Sequence, residues 1–298
     1  MKKRTLGNTG MEVTELGFGG AEIGYEKADQ ATVDRLLNSA LDAGLNLIDT
    51  AECYLASEES IGQAVGHRRK DYFLFTKVGH ASGLEGKDWD PELLTRSIDR
   101  SLQRLRTDFV DLIQLHSCPV ELLRQGDGIE VLRKARQAGK TRFIGYSGDS
   151  EAAAYAVECG AFDTLQTSVS IADQWSIDHS IPLARARNMG VIAKRPIANA
   201  AWKTGRKPAS AYHHTYWDRL GVLNYEFLRR DLAEAVGIAL RFTLSVPGVH
   251  TAIAGTKNPE RWRQNAELLE PGPLPASEFD AIRLRWRQCA TDAWKGEI

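Results

Sequence analysis

The stretch Leu45-Asn46-Leu47-Ile48-Asp49-Thr50-Ala51 reads as a short, apolar β-strand that runs out onto a carboxylate. Two further runs behave in the same way. Tyr72-Phe73-Leu74-Phe75-Thr76-Lys77 ends on an ammonium, and Val110-Asp111-Leu112-Ile113-Gln114-Leu115-His116 ends on an imidazole. Tyr54 follows the first run by a few residues. Continuous apolar strands of this kind belong to parallel sheets covered on both faces. In a closed parallel barrel, the C-terminal strand ends are where active sites are built.

Working outward, β-like runs alternate with helical patterns along the chain. Strands are expected at 15–20, 45–51, 72–77, 110–116, 141–147, 164–169, 191–194 and 250–255. Between them lie amphipathic segments such as 31–43, where Val33, Leu36, Leu37, Ala40 and Leu41 recur at helical spacing before Gly44. Asp90-Pro91 supplies an N-cap and a first-turn proline to a helix carrying Leu94, Ile98, Leu102 and Leu105. A helix running to Gly139 is expected to break at Gly126 and Gly128, and 196–224 reads as a long irregular loop. Eight strands alternating with helices imply a (β/α)8 TIM barrel. Residues 4–13 read as an N-terminal β-hairpin at the barrel bottom, and 259–269 and 277–290 as extra C-terminal helices. The expected organisation is a single barrel domain over 1–298.

Composition narrows the function. Lysine plus arginine (38) nearly equals aspartate plus glutamate (39), which argues against a nucleic-acid or acidic-membrane partner. Cys53, Cys118, Cys159 and Cys289 form no CxxC pair and read as reduced thiols. The basic N-terminus is followed by no apolar core of a signal peptide, and no apolar run approaches the roughly 18 residues of a membrane span. The expected compartment is the cytoplasm.

Strands ending at Asp49, Lys77 and His116 are neighbours in such a barrel, so these side chains and Tyr54 converge at one mouth. A free tyrosine titrates near pH 10 and is a poor proton donor at neutrality. A nearby Lys77 ammonium would lower that value, Asp49 would hold Lys77 in place, and a neutral His116 would orient a substrate oxygen. A structural ion pair and a satisfied core histidine account equally well for any one of these residues taken alone. A second cluster, Gly255-Thr256-Lys257-Asn258-Pro259-Glu260-Arg261, enters a helix after the last strand, where barrels frequently bind phosphate. Gly17-Phe18-Gly19-Gly20 is no dinucleotide fingerprint, because position 22 is Glu.

These stretches together resemble the aldo-keto reductase family. The resemblance runs through Leu47 to Tyr54, Phe75-Thr76-Lys77, Ser101 to Leu105, Asp108 to Leu112, Leu115-His116, Ile144 to Ser147, Gln166, and Val246-Pro247-Gly248 on to Asn265. It implies that Tyr54 is the general acid, supported by Lys77, His116 and Asp49, with hydride supplied by NADPH and no metal. It further implies that Ser147 and Gln166 hold the nicotinamide carboxamide, that Pro196 and Ile197 lie along the pyrophosphate, that Gly255 belongs to the cofactor-binding loop, and that Thr256, Lys257 and Arg261 contact the adenosine 2′-phosphate, with Asn265 at the adenine. Arg195, in Ala193-Lys194-Arg195-Pro196, is either a further phosphate contact or a structural arginine. The chain departs from the family pattern at Ala193-Lys194-Arg195-Pro196, where Tyr-Ser-Pro is more usual, at Gly255, where one branch has a lysine, and at two positions by the nicotinamide. Gly148 stands where an asparagine is usual, and Val169 where a tyrosine stacks on the nicotinamide. The implied activity is NADPH-dependent reduction of aldehydes or ketones to alcohols; the alternative is an NADP(H)-binding regulatory or sensor protein with residual reductase activity. Trp89 and Trp202 are expected to wall the substrate cleft.

Overall fold

The computed structural model of the protein describes residues 1–296; positions 297 and 298 of the expected domain lie outside them. Two short strands, β1 (Lys3–Thr5) and β2 (Glu12–Thr14), pair antiparallel as a hairpin. They precede β3 (Leu16–Gly19), β4 (Leu47–Asp49), β5 (Phe73–Val78), β6 (Val110–His116), β7 (Thr141–Ser147), β8 (Thr164–Ser168), β9 (Gly190–Lys194) and β10 (Thr251–Gly255). Those eight are parallel and close into a barrel in sequence order, β10 returning to β3. The expected (β/α)8 barrel, its hairpin and its C-terminal helices Arg261–Glu267 and Ala276–Cys289 are all present.

Local chemistry places the helix starts. The Asp90 carboxylate accepts from the amides of Glu92 (3.0 Å) and Leu93 (3.4 Å), with Pro91 at the first helical position of Pro91–Leu105. Gly126 breaks the next helical stretch into Val120–Gln125 and Asp127–Gln137 by taking φ 85°. Gly128 lies inside the second helix and breaks nothing.

Side chains alternate across a strand with period two, and this builds the barrel interior in layers. The lowest layer is apolar: Leu47, Phe75, Leu112, Ile192 and Ile253 meet Leu6, Met11 and Val13 of the hairpin, which plugs the barrel bottom. Two residues further along β4, β5 and β6 come Asp49, Lys77 and Gln114, and two beyond Gln114 comes His116. The same alternation that fills the core with hydrocarbon therefore delivers polar groups to the upper mouth.

The stretch 196–224 is more ordered than its composition suggests. It contains the helix His214–Leu223, which buries Tyr216, Leu220 and Leu223 at an i, i+4, i+7 spacing. Only three apolar positions carry that stripe, and surrounding small and basic residues conceal it. The short helices Ala21–Tyr25 and Trp175–Asp178 also lie where no helix is expected. Among the described residues, no helix is long and apolar enough to cross a membrane.

Candidate active site

The polar layer at the top of the barrel is continuous. Lys77 Nζ donates to Asp49 Oδ2 and to the Thr50 carbonyl (2.8 Å), and Asp49 and Lys77 are both fully buried. Gln114 Nε2 donates to Gln166 Oε1 at 2.7 Å and approaches Asp49 Oδ1 at 3.4 Å, while Gln166 Nε2 reaches Asp49 Oδ2 at 3.4 Å. Strand register sets these neighbours: Lys77 pairs with Gln114, His116 with Ser147, and Ser147 with Gln166.

Tyr54 and His116 stand above that layer, each partly exposed. Lys77 Nζ lies 5.0 Å from the centroid of the Tyr54 ring. The Tyr54 and His116 rings meet edge to face at 5.8 Å. All four residues expected at the mouth are thus brought together.

The electrostatics correct one expectation. Burial and the neighbouring Asp49 carboxylate push the Tyr54 phenol well above its ordinary value of 10. The Lys77 ammonium, paired with Asp49, does not outweigh the burial of the phenol. Tyr54 is therefore held protonated. His116 is driven well below its ordinary 6.5 by burial, then by the nearby Lys77 and His80, so it stands neutral at physiological pH. Burial also pushes the Asp49 carboxyl upward, with Lys77 opposing.

The expected cofactor contacts are distributed along the same rim. The Ser147 hydroxyl is buried and has no hydrogen-bond partner among the described residues, as has Gln114 Oε1. Gln166 is committed on both amide atoms to Gln114 and Asp49. Arg195 donates from Nε to Tyr212 Oη (3.0 Å) and from Nη1 to Ser168 Oγ (3.1 Å), and lies 3.8 Å from Asp149, the buried carboxylate that Lys194 also reaches at 2.8 Å. The Pro196 carbonyl accepts from Thr243 Oγ1 at 2.9 Å, and Ile197 packs partly buried against the core. Past β10, the Thr256 hydroxyl accepts from the Asn258 amide at 3.0 Å, Lys257 pairs with Glu26 at 3.0 Å, Arg261 is exposed and Asn265 is buried. Gly255 makes room for Glu22: a Cβ there would fall 1.5 Å from Glu22 Oε2.

Both departures beside the nicotinamide, Gly148 and Val169, have structural partners. A Cβ at Gly148 would lie 2.4 Å from Tyr146 Oη, and Tyr146 is itself buried with its hydroxyl on the Cys118 carbonyl. Val169 is wholly buried in the main apolar cluster and presents no surface to a ligand.

The mouth also holds groups that were not singled out in the sequence. Gln114 is one, and its signal was legible: a lone amide in an apolar strand, two residues before His116 and so on the same face. Tyr25 packs on Tyr54 at 5.5 Å, and Tyr212 caps Arg195; both are exposed. Nothing local marks either, since their place depends on loops meeting across the rim. Trp89 lies at the mouth and donates from Nε1 to the His116 carbonyl at 2.8 Å, and Trp202 packs against the main core cluster.

A buried ammonium–carboxylate pair with a phenol and an imidazole beside it, at the C-terminal mouth of a parallel barrel, is the kind of polar strand-end site on which barrel enzymes build their chemistry. The sequence profile described as the aldo/keto reductase family matches residues 15–286, and the chain belongs to that family. It is 28% identical to an uncharacterized oxidoreductase of Bacillus subtilis (strain 168), the alignment covering 97% of each chain. It is 26% identical to the NADH-specific methylglyoxal reductase of Escherichia coli (strain K12), over 96% of this chain and 98% of that one. The holo form of an aldo-keto reductase from Bacillus halodurans superposes with a TM-score of 0.82 at 28% identity, covering 96% of each chain. The protein is an NAD(P)H-dependent oxidoreductase of a family that reduces carbonyls of small molecules.

Proposed function

We propose that this chain, acting as one barrel unit, reduces an aldehyde or ketone to the alcohol with Tyr54 as general acid and NADP(H) as cofactor. The observation that carries the reading is the buried Asp49–Lys77 pair directly under Tyr54 and His116. The residues present fit a nicotinamide: the orphaned Ser147 hydroxyl suits its carboxamide, beside Gln166 on the adjacent strand. When bound, the cofactor supplies hydride to the carbonyl carbon.

The chain's own residues handle the oxygen. Neutral His116 donates a hydrogen bond to it and orients the carbonyl. Tyr54, kept protonated, delivers its proton as negative charge develops there, because an alkoxide is a stronger base than a phenolate. Lys77 then stabilises the phenolate from the ring face, and Asp49 keeps that ammonium in position. Such a proton donor contributes about 10²–10⁴-fold to the rate. Gly148 and Val169 leave the nicotinamide ring with fewer side-chain contacts, so Ser147 and Gln166 carry more of its orientation.

The preference for NADP(H) rests on Thr256, Lys257 and Arg261, which place a hydroxyl and two cations after β10. Lys257 must leave Glu26 to reach a phosphate; that pair is exposed, and exposed pairs are worth only about 0–1 kcal/mol. Purified protein, NADPH or NADH, and a panel of aldehydes followed by nicotinamide absorbance test the reading. Turnover faster with NADPH supports it. Tight NADPH binding without turnover would instead favour a binding or sensor role, and turnover faster with NADH would refute the cofactor preference.

A further inference from the structure

A second constellation shares the mouth of the barrel. Cys53, His80 and His116 each offer a donor atom, and these atoms lie within 4.8 Å of one another. Cys53 Sγ is 3.4 Å from His116 Nδ1. The His80 ring stands edge-on to His116 at 5.2 Å. His80 Nδ1 is held by Asp88 Oδ2 at 3.0 Å, which leaves Nε2 as its free lone pair.

A tetrahedral zinc ion with bonds of about 2.3 Å to sulfur and about 2.0–2.1 Å to nitrogen needs ligand atoms about 3.3–3.6 Å apart. The Cys53–His116 edge already meets that spacing, and side-chain rotation of His80 by about an ångström closes the rest. The Asp88–His80 bond is the outer carboxylate–histidine contact that orients metal-bound imidazoles. Asp88 is itself tied by the Ala81 amide at 2.9 Å, and Glu52 Oε1 accepts from the Gly79 and His80 amides at 3.1 and 2.9 Å, so the loop carrying His80 is pinned. The thiolate that metal binding would create at Cys53, with the Asp88 carboxylate, would offset the cationic side of the mouth, where Lys77 and Arg195 lie. Three protein ligands leave a fourth position open.

We propose that Cys53, His80 and His116 bind a thiophilic divalent cation of the zinc class, and that the bound ion blocks the oxidoreductase by occupying the imidazole that orients the substrate oxygen. On binding, the Cys53 S–H bond breaks, its proton passes to buffer, and a sulfur–metal bond forms with no change of oxidation state. The blocking half rests on the role given to His116 above; the binding half does not.

Titration of the purified protein with Co2+ reads binding directly, through the thiolate-to-cobalt charge-transfer band and tetrahedral visible absorption. One equivalent is expected to develop both, and Zn2+ to bleach them. Cys53→Ser is expected to abolish the charge-transfer band. Asp88→Asn and His80→Gln are expected to weaken binding about 10–100-fold. In the reductase assay, Zn2+ is expected to inhibit the wild type reversibly on chelator addition, and Asp88→Asn to keep metal-free turnover while resisting inhibition at least tenfold. Absence of the charge-transfer band, or its persistence in Cys53→Ser, overturns the site. Unchanged affinity in both His80→Gln and Asp88→Asn does the same. A cobalt-binding protein whose turnover is untouched by Zn2+ overturns the blocking role. A protein with no turnover at all fails the proposed function, while the cobalt titration still decides the site.

Discussion

Lys77 meets Tyr54 across the face of the phenol ring, its ammonium 5.0 Å from the ring centroid, while the same nitrogen donates to Asp49 below. If Tyr54 is the proton donor proposed above, one cation serves two negative groups at different times: the carboxylate always, and the phenolate only once the proton has left. Burial, with Asp49 adding to it, holds Tyr54 protonated at rest.

Removing the phenolic hydroxyl isolates the acid. Tyr54→Phe is expected to lower kcat about 10²–10⁴-fold with KM little changed and the unfolding midpoint preserved. Steady-state nicotinamide oxidation with an aldehyde checks it, and a variant that retains full activity would sink the assignment.

The pair under the ring predicts a stability pattern. Asp49→Asn or Lys77→Met alone leaves one polar partner buried without its counter-charge and is expected to cost about 3–5 kcal/mol. Asp49→Leu combined with Lys77→Met removes both and is expected to cost clearly less than the sum of the single changes. Urea unfolding of the three variants measures this.

Glu52 predicts a pH dependence. Its carboxyl is buried, with only one oxygen satisfied, and burial pushes its pKa up from 4.5 to about 7, Glu58 adding to the rise and the His80 and Gly79 amides opposing. A raised carboxyl contributes stability that is complete below its unfolded value and lost as pH climbs through its folded one. Glu52→Gln keeps the carbonyl acceptor and removes the titration. The variant is therefore expected to gain on the wild type between pH 4.5 and 7, by about 3 kcal/mol in all. His116, whose folded value is depressed, contributes with the opposite sign, losing stability as pH falls below 6.5. It is common to both proteins and cancels in the difference.

Restoring the usual asparagine is expected to fail at position 148. The Tyr146 hydroxyl occupies the space a Cβ would take, so Gly148→Asn must displace a buried ring. The expected result is a loss of about 1–3 kcal/mol without tighter cofactor binding. Thermal unfolding and a fluorescence titration with NADPH check both halves.

For the cofactor, Lys257→Ala combined with Arg261→Ala is expected to raise KM for NADPH at least tenfold and leave that for NADH nearly unchanged. Equal effects on the two cofactors would show that these cations do not read the 2′-phosphate.

The barrel, its hairpin plug and the convergence of Asp49, Tyr54, Lys77 and His116 were legible in the chain, because apolar periodicity sets both strand position and strand face. Asp49, Lys77 and His116 each fall on the beat of residues that point inward, so their meeting follows from register alone. The period also marked Gln114, which links Gln166 to Asp49. What only the tertiary structure decided depends on contacts between distant segments. It set the direction of the Tyr54 shift, which follows first from how deeply the phenol is buried and then from the Asp49 carboxylate beside it. It filled the place beside Gly148 with Tyr146, buried Val169, and brought Tyr25 and Tyr212 over the rim. It also brought His80 to Cys53 and His116. Sequence periodicity carries which way a side chain points; the balance of charge and the occupancy of space at a barrel mouth arise from loops far apart in the chain, and no local pattern encodes them.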